Sequence, residues 1–428
     1  MNIPNFITPE IVSHIRENYQ TPVYVYSEKE LRDRARDFLD FPSAFGHTVR
    51  YAMKANPQRN ILKIFDQEGL SFDASSDFEA LRILAAGVHP DKIQISSQEL
   101  WIHAKELIEK EVFFVATSLH QLEFFGKNFS GKSCGIRVNP WVNSGAFAKI
   151  STGGKNSSFG IWHTKIDEIK ALAEKYNITI TKLHFHIGSE NTPESWVDSA
   201  GLGFDILREI ETIDIFDMGG GHKMAIMPYE TSADLQAIGG AVSQKFKDFF
   251  EETGRKIHLE MEPGKYLVIN SCSMLVEIQD IVDTGRVGFT FLKTNSGMND
   301  MPRVAMYGVQ EPLYIFPPHP TSPDSGEEQT AEQYEDYVVV GHCCESSDII
   351  TCKLYDAEMI ETRTLPKASI GDILVIDGVG WYNSGMAIKN YNSFPESWEL
   401  LLKENWEIVE IRARQEIEDI WKNEREVI

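Results

Sequence analysis

The stretch TVRYAMKAN at residues 48–56 begins the pattern that decides the fold, because it is a β-rich run with a lysine at its end. Seven further β-rich runs follow it, separated by segments of helical periodicity: LSFDASS (70–76), KIQISS (92–97), VFFVATS (112–118), SCGIRVNP (133–140), ITKLHFHIG (180–188), IDIFDMGGG (213–221) and KIHLEMEPG (256–264). Eight strands that alternate with helices are typical of the α/β TIM barrel, (β/α)8. The sequence therefore predicts such a barrel over residues 30–267.

Polar side chains and glycines stand where these runs end. They are Lys54, Asp73, Arg137, His186, Gly219, Gly220, Gly221, Glu262 and Gly264. The carboxyl ends of barrel strands share one rim, and active sites of this fold are built there. We therefore expect these residues to meet in one pocket, although they are far apart in the sequence.

The sequence after residue 268 consists of short apolar runs separated by turns, such as FTFLKTN, DYVVVGHCCESS and GDILVIDG. This texture predicts a mostly antiparallel β domain over residues 268–428. The strand-like run TPVYVYS is expected to add residues 1–29 to that domain. The segment 317–335, rich in Pro, Ser and Glu, is predicted to be a solvated loop. The charged tail from Ser397 onward is predicted to be an amphipathic helix.

The composition restricts the class of partner. The 428 residues include 41 Lys+Arg and 64 Asp+Glu, which gives a formal net charge of −23. This acidity argues against nucleic acid or an anionic membrane, because both need a basic surface. Neither a signal-like segment nor a long apolar run is found, so we expect a cytoplasmic protein. The five cysteines have no CxxC spacing, which favours reduced thiols over disulfides or a zinc site.

Several of the polar residues allow more than one interpretation. Lys54 faces either the barrel interior, where it would be paired or used covalently, or the solvent. His184 and His186 share one face of a strand and could bind a metal ion, pack as structural side chains or contact a cofactor. No third ligand or Cys/His cluster accompanies them in the sequence. Cys344, beside Glu345, is either a reactive thiol or a buried one.

The glycine turns also leave two interpretations open. The GGG run at 219–221 lacks the GxGxxG spacing of a dinucleotide site. Three glycines after a strand allow backbone N–H groups to bind a phosphate, whereas the alternative is a tight turn without a ligand. EPGK at 262–265 supplies a further glycine and a carboxylate. The two turns beside a lysine are more informative together than either is alone.

Ten motifs occur in the order known from one protein family: TPVYVY, YAMKAN, FDASS, RVNP, HFHIGSE, DMGGG, EPGK, GMNDMPRVAMYG, CCESSD and GVGWYNSGMAIKNYN. Through them the chain resembles the decarboxylases of fold type III, the alanine-racemase-like barrel, which use pyridoxal 5'-phosphate (PLP). Diaminopimelate decarboxylases are the most similar branch, and ornithine-type decarboxylases are more distant. The resemblance implies a PLP cofactor and a homodimer with shared active sites.

The resemblance also implies roles for residues of the barrel. Lys54 matches the lysine that binds PLP covalently, His186 matches the imidazole stacked on its ring, and Glu262 matches the carboxylate that faces the ring nitrogen. The residues that match the phosphate site are Ser189, Gly219, Gly220, Gly221, Gly264 and Tyr391. Asp73 and Arg137 match supporting positions at the rim.

Substrate selection is implied for the C-terminal motifs. Arg303 and Tyr307 match the residues that hold a distal carboxylate, and Glu345 matches the acid that receives the distal ammonium group. Cys344 matches the residue, contributed by the partner subunit, that protonates the α-carbon. Tyr382 matches a tyrosine of the active-site loop. The implied reaction is decarboxylation of meso-diaminopimelate to L-lysine, with Lys54, His186 and Cys344 as catalytic residues.

Four departures from the family pattern affect mainly the substrate side. Lys265, predicted to bind substrate, stands where arginine is usual, Asn295 stands where aspartate is usual, and Ser158 stands where lysine is common. An extra residue lies between Met386 and Tyr391. The cofactor residues therefore match the family better than the substrate residues do.

Three alternatives compete with this interpretation. A paralogous decarboxylase would act on ornithine, lysine or carboxynorspermidine, yet Arg303 and Tyr307 favour a substrate with a second carboxylate. An ornithine-type enzyme would usually carry aspartate in place of Glu345. A racemase would need a tyrosine base where Cys344 stands. A non-catalytic PLP-binding protein would not need the β domain or the CES motif.

Overall fold

The computed structural model describes residues 6–140, 155–186, 191–317 and 333–428. Ser189 and most of the predicted solvated loop at 317–335 lie outside these residues. The chain folds as two compact units. One comprises Leu31–Ala225 and Thr231–Leu267, and the other comprises Met1–Glu30, Ile226–Glu230 and Val268–Ile428. We call them the barrel unit and the β unit.

The described part of the barrel unit contains a closed barrel of eight parallel strands. In chain order they are His47–Ala52, Ser71–Ala74, Ile93–Ile95, Phe113–Ala116, Ser133–Asn139, Thr179–His184, Ile215–Asp217 and His258–Met261. Each strand pairs with the next, and the eighth pairs with the first, so the sheet closes on itself. The prediction of a TIM barrel is confirmed. A two-residue strand, Ile161–Trp162, also pairs with the fifth barrel strand.

Helices alternate with these strands along the chain. Their bounds are Glu28–Leu39, Arg59–Gln67, Asp77–Ala85, Ala104–Glu109, Leu119–Asn128, Ile166–Tyr176, Pro193–Glu209, Leu235–Thr253 and Lys265–Val268. Several begin at a capping side chain: Ser76 and Ser118 accept hydrogen bonds from backbone N–H groups of their own first turn. The helix Pro193–Glu209 packs closely against the seventh strand. Its Gly203 packs so close to the Phe216 ring that a Cβ atom would not fit.

The β unit is built on a mostly antiparallel sheet, as predicted. Its strands are Val23–Ser27, Cys272–Asp283, Thr290–Thr294, Leu313–Phe316, Tyr334–Val340, Cys352–Lys353, Asp356–Ile360, Arg363–Pro366, Ile373–Ile376, Trp398–Leu402 and Ile408–Arg412. Its helices are Pro9–Asn18, Pro302–Tyr307 and Ile417–Trp421. Val23–Ser27 lies between Cys272–Asp283 and Trp398–Leu402 in the sheet.

The prediction of an amphipathic helix from Ser397 onward is wrong. Trp398–Leu402 and Ile408–Arg412 form an antiparallel hairpin, and only Ile417–Trp421 is helical in this tail. The first of these strands pairs on both edges, and its leucines are buried. A strand that is buried on both faces loses the alternating pattern by which strands are recognised, so charges nearby dominated the sequence signal.

Among the helices of the described ranges, none is both long and apolar enough to cross a membrane.

Candidate active site

The barrel brings most of the predicted cofactor residues to the carboxyl ends of its strands. Lys54 lies in a 3-10 turn, Met53–Ala55, directly after the first strand. The Tyr51 hydroxyl donates a hydrogen bond of 2.9 Å to the Asn56 carbonyl and so holds this turn. The other members are Asp73, Arg137, His186, Gly219, Gly220, Gly221, Glu262 and Gly264, while Ser189 lies outside the described residues.

Lys54 is exposed in the structure, whereas its neighbours Met53 and Ala55 are buried. Its positive charge is one of the influences that lower the pKa of Asp73 and Glu262, two buried carboxyl groups of the barrel. The charge of Lys54 therefore acts on the barrel interior. Of the two orientations that the sequence left open, the exposure of Lys54 matches the one toward the solvent, although its charge still acts on the two carboxyl groups.

Three buried carboxyl groups lie beneath this lysine and converge on one amide. Gln94 Nε2 lies 2.5 Å from Glu262 Oε1, 3.1 Å from Asp217 Oδ2 and 3.2 Å from Asp73 Oδ1. We call Asp73, Asp217 and Glu262 the carboxyl cluster. Each of its members and Gln94 is less than a tenth exposed.

Burial opposes the ionisation of Asp73 and Glu262 in the carboxyl cluster. It raises the pKa of Asp73 to about 8, an effect strengthened by the charge of Glu262 and weakened by Lys54. Burial likewise raises the pKa of Glu262 well above its usual value, with further contributions from the Asp217 charge and a hydrogen bond to Asp217. Arg137 opposes this shift, because its buried guanidinium favours a negative charge on Glu262.

His186 presents a neutral imidazole at the same rim. Its Nδ1 accepts a hydrogen bond of 3.2 Å from the backbone N–H of Gly220, which leaves the proton of the neutral ring on Nε2. Burial and the nearby Arg137 charge hold the pKa of His186 well below its usual value. Such a ring offers a flat, uncharged face for stacking.

The glycine turn after the seventh strand has no room for side chains. Gly219 has a φ of 72°, and a Cβ atom there would lie 2.6 Å from His186 Nδ1. A Cβ atom on Gly220 would collide with the Glu262 carbonyl oxygen. The Glu262 N–H donates a hydrogen bond of 2.8 Å to the Gly219 carbonyl, which joins this turn to the EPG turn. The arrangement therefore fits a flat ring held between an imidazole, a carboxyl group and glycine turns that bind a phosphate.

His184, the other histidine of the HFH motif, is fully buried, and burial lowers its pKa to about 4. Its Nε2 lies 3.2 Å from Glu262 Oε2. Together with Asp217 these atoms lie within 4.8 Å of one another, a spacing that would allow a metal ion. However, the Gln94 N–H groups already point at the same two carboxyl groups, so a hydrogen-bonded cluster accounts for the geometry better than a metal site does.

The β unit gathers the predicted substrate residues Arg303, Tyr307 and Tyr382. The guanidinium carbon of Arg303 lies 4.8 Å from the centre of the Tyr307 ring, 5.1 Å from that of Tyr382 and 4.1 Å from that of Trp381. The Arg303 Nε is buried and has no hydrogen-bond partner among the described residues. A planar cation with an unsatisfied donor suits a carboxylate. Burial raises the pKa of the neighbouring Glu311 to about 8, and the nearby Asn383 side chain and Arg303 charge oppose this shift.

A second group of predicted residues lies around Cys344 in the β unit. The Cys344 N–H donates a hydrogen bond of 2.7 Å to Asn392 Oδ1, and the Tyr391 hydroxyl lies 3.5 Å from Glu345 Oε2. Cys344 is exposed, whereas the preceding Cys343 is buried and donates its N–H to Asp348 Oδ2. The structure thus provides an accessible thiol at position 344, beside a carboxylate and a phenol.

This difference predicts a simple chemical signature. All five cysteines are free, and Cys344 alone is exposed, so one thiol per chain should react rapidly with an aromatic disulfide reagent. Cys344→Ser should abolish the fast phase, while Cys343→Ser should retain it. Burial also raises the pKa of Cys343 to about 12, which further slows that thiol. A fast phase that survives in Cys344→Ser would contradict the assignment.

The structure accounts for two of the departures from the family pattern. Asn295 Oδ1 accepts a hydrogen bond from the Glu277 N–H, while its Nδ2 donates to the carbonyl and the hydroxyl of Thr21. An aspartate could not donate to the Thr21 carbonyl. The extra residue before Tyr391 is accommodated where Asn390 adopts a left-handed φ of 59° and donates to the Phe394 carbonyl.

The other two departures have no such account. Lys265 begins the short helix Lys265–Val268, next to Gly264. Nothing in the structure explains Ser158.

Sequence reasoning missed Gln94, Asp217 and Trp381. Gln94 and Asp217 are polar residues within otherwise apolar barrel strands, and that contrast was the available signal. Trp381 adjoins the predicted Tyr382, but its contact with Arg303 depends on the fold of the loop.

Comparisons with known proteins agree with this geometry. The family model described as "Pyridoxal-dependent decarboxylase, pyridoxal binding domain" matches residues 30–269. The diaminopimelate decarboxylase of Escherichia coli is 29% identical over 426 residues, which cover 97% of this chain and 96% of that protein. The diaminopimelate decarboxylase of Streptomyces coelicolor is 28% identical over 421 residues, covering 95% of this chain and 90% of that protein.

Solved structures extend the similarity to the whole fold. A crystal structure of diaminopimelate decarboxylase has a TM-score of 0.88 and 27% identity, and the match covers 97% of this chain and 96% of that one. The Helicobacter pylori enzyme, solved with L-lysine, has a TM-score of 0.82 and 24% identity, with 96% and 98% covered, and supports the fold alone. Because the family model spans more than half of its length, the chain belongs to the pyridoxal-dependent decarboxylases, enzymes whose cofactor is PLP.

Proposed function

We propose that this enzyme decarboxylates meso-diaminopimelate to L-lysine, the last step of lysine biosynthesis. The observation that carries the proposal is the half-buried Arg303 guanidinium, held against three aromatic rings with its buried Nε unpaired among the described residues. Such a site suits a second carboxylate, which meso-diaminopimelate has and ornithine and lysine lack. The similarity to diaminopimelate decarboxylases over nearly the full chain supports the same substrate.

We propose a separate role for each barrel residue in binding the cofactor. PLP supplies an electron sink for the bond that breaks when CO2 leaves. Lys54 would bind the cofactor covalently, and His186, whose Nδ1 accepts from the Gly220 N–H, would offer its neutral imidazole to the ring. Glu262 would stabilise a proton on the ring nitrogen. Ser189, Gly219, Gly220, Gly221, Gly264 and Tyr391 would hold the phosphate, while Asp73 and Arg137 would support the rim.

The residues of the β unit select the substrate and complete the reaction. Arg303 with Tyr307 and Tyr382 binds the distal carboxylate, and Glu345 binds the distal ammonium group, with Lys265 of the EPGK turn contributing a positive charge. Cys344 holds the proton that is delivered to the α-carbon after CO2 leaves. Its exposure supports this role, because a proton donor must reach the substrate.

The proposed function also implies an oligomeric state and a cellular location for this enzyme. We propose a cytoplasmic homodimer in which Cys344 completes the active site of the partner subunit. Residues 30–267 form the PLP-binding domain, and residues 1–29 with 268–428 form the second domain. The net charge of −23 argues against nucleic acid and anionic membranes as partners.

A comparison of substrates tests the proposal. The PLP-loaded enzyme is incubated separately with meso-diaminopimelate, L-ornithine, L-lysine and carboxynorspermidine, and the amine products are identified by mass spectrometry. We expect kcat/KM for meso-diaminopimelate to exceed that for the others by about 100-fold or more, since they cannot pair with Arg303. Faster turnover of a substrate that lacks the second carboxylate would identify a paralogous decarboxylase instead.

A further inference from the structure

A chain of buried charges lies within the barrel, below the carboxyl cluster. Glu260 accepts hydrogen bonds from Arg50 at 2.7 and 2.9 Å and from Lys182 Nζ at 2.5 Å. Arg50 also donates to the Lys92 carbonyl at 3.2 Å. Lys182 in turn donates to Gln94 Oε1 at 2.5 Å. Two cations and one carboxylate are therefore arranged so that a single ammonium group contacts Gln94.

This contact fixes the orientation of the Gln94 amide. Burial and the Arg50 charge lower the pKa of Lys182, whereas its pairing with Glu260 favours the charged form, in which Lys182 carries only donors. The atom of Gln94 that faces Lys182 must therefore be the oxygen. The amide nitrogen then faces Asp73, Asp217 and Glu262, as the distances require. The usual ambiguity between amide oxygen and nitrogen does not arise here.

The donors available to the carboxyl cluster are fewer than its acceptors. The Gln94 nitrogen carries two hydrogens, yet three carboxyl oxygens lie between 2.5 and 3.2 Å from it. Ser96 adds one donor to Asp73, the Gly219 N–H adds one to Asp217, and His184 Nε2 lies 3.2 Å from Glu262 Oε2. Three like charges at such separations cannot all persist in a buried site. A proton shared within the carboxyl cluster relieves both the repulsion and the shortage of donors.

We propose that Gln94 is a positioning residue that holds a shared proton in the carboxyl cluster and aims the Glu262 carboxyl group at the PLP ring nitrogen. The inference rests on the proposed role of Glu262 and extends it to a residue of the barrel interior. Among the three carboxyl groups, Glu262 lies closest to the Gln94 nitrogen, so the loss of this amide should alter Glu262 first.

The surrounding charges are consistent with a proton in the carboxyl cluster. The charged and titratable groups that act on its members are Lys54, Arg137, His184, Lys182 and Arg50. Burial keeps His184 neutral at physiological pH, since its pKa falls to about 4. Burial raises the pKa of Asp73 to about 8, which favours its protonation at neutral pH, and shifts the pKa of Glu262 in the same direction.

The first test measures PLP binding to the full-length apoprotein. Gln94→Leu removes the amide, and we expect the PLP dissociation constant to rise about ten- to a hundredfold. Gln121→Leu is the matched control, because Gln121 is equally buried in the barrel unit but bonds to the Ser97 carbonyl and the Thr117 N–H. Gln94→Glu keeps the volume of the side chain and an oxygen that accepts from Lys182. This variant replaces Gln94→Leu in the binding measurement if the leucine variant does not fold. Equal PLP affinity in the Gln94 and Gln121 variants would overturn the positioning role.

The second test detects the shared proton without PLP. The infrared C=O stretch of a protonated carboxyl group is separate from that of a carboxylate. We expect the apoprotein at neutral pH to lose intensity there in Glu262→Gln and to show a displaced band in Gln94→Glu, whereas Gln121→Leu should match the wild type. The buried Glu311 contributes equally to all of these samples. A difference spectrum without a protonated carboxyl band would overturn the shared proton.

These measurements separate the inference from the proposed reaction. The infrared spectrum and the PLP affinity do not depend on turnover of meso-diaminopimelate. If the enzyme binds PLP but acts on another amino acid, the proposed substrate is refuted. The PLP affinity and the infrared spectrum of the Gln94 variants still decide the role of Gln94.

Discussion

Lys54→Ala is expected to abolish the visible absorption band of covalently bound PLP and to lower kcat by about 1,000-fold or more. The Lys54 side chain follows the first barrel strand, and its positive charge acts on the buried carboxyl group of Asp73. It therefore lies at the rim where the cofactor is proposed to bind. Alanine keeps the backbone of the turn but removes the nucleophile. Absorption spectra and turnover of the PLP-loaded protein measure both effects.

Lys63→Ala provides the control for that experiment. Lys63 is an exposed lysine on the helix Arg59–Gln67, which follows the same strand. This variant should keep the band and the activity of the wild type. A Lys54→Ala protein that retains the band would show that another lysine binds the cofactor.

Arg303→Met is expected to lower kcat/KM for meso-diaminopimelate by about 100- to 1,000-fold. Methionine preserves apolar contact with Trp381 and Tyr382 but removes the cation that would pair with the distal carboxylate. The loss should fall mainly on KM, because this carboxylate is remote from the bond that breaks. Steady-state kinetics measures the change, and the affinity for PLP should stay as in the wild type.

Two further variants make the Arg303 result specific. Arg303→Lys should recover only part of the lost kcat/KM, since an ammonium group cannot make the bidentate contact of a guanidinium. Arg425→Met, at an exposed position near the C-terminus, should behave as the wild type. Unchanged kinetics in Arg303→Met would remove the main support for a substrate with two carboxylates.

The barrel was predictable because its signal is repeated. The pattern of a β-rich run followed by a helical segment or a turn occurs eight times. Errors of a few residues at the strand ends therefore did not change the predicted fold. The carboxyl ends of the strands then placed Lys54, His186 and Glu262 at one rim without knowledge of any distance.

The interior of the barrel was not predictable from the same pattern. Gln94, Lys182 and Glu260 each look like one polar residue in a strand, and their connection depends on which strands face each other across the barrel. The tail from Ser397 failed for a related reason, because pairing on both edges of Trp398–Leu402 is a property of the whole sheet. Long-range partners of this kind leave no local mark in the sequence.

The exposure of the two cysteines of the CCES motif was also not predictable from the sequence. From the sequence, a reactive thiol and a buried thiol were equally acceptable. In the structure the two neighbours differ. Cys343 is buried and its N–H donates to Asp348 Oδ2, whereas Cys344 is exposed and its N–H donates to Asn392 Oδ1. Their difference arises from hydrogen bonds to residues that lie elsewhere in the chain.

The measurement that tests the central claim most directly is the stoichiometry of the reaction. The full-length protein, loaded with PLP, is supplied with meso-diaminopimelate, and CO2 and L-lysine are quantified together. We predict one molecule of CO2 and one of L-lysine for each molecule of substrate consumed, and neither product from Lys54→Ala. A protein that shows the band of covalently bound PLP but releases no L-lysine from meso-diaminopimelate would contradict the proposed function.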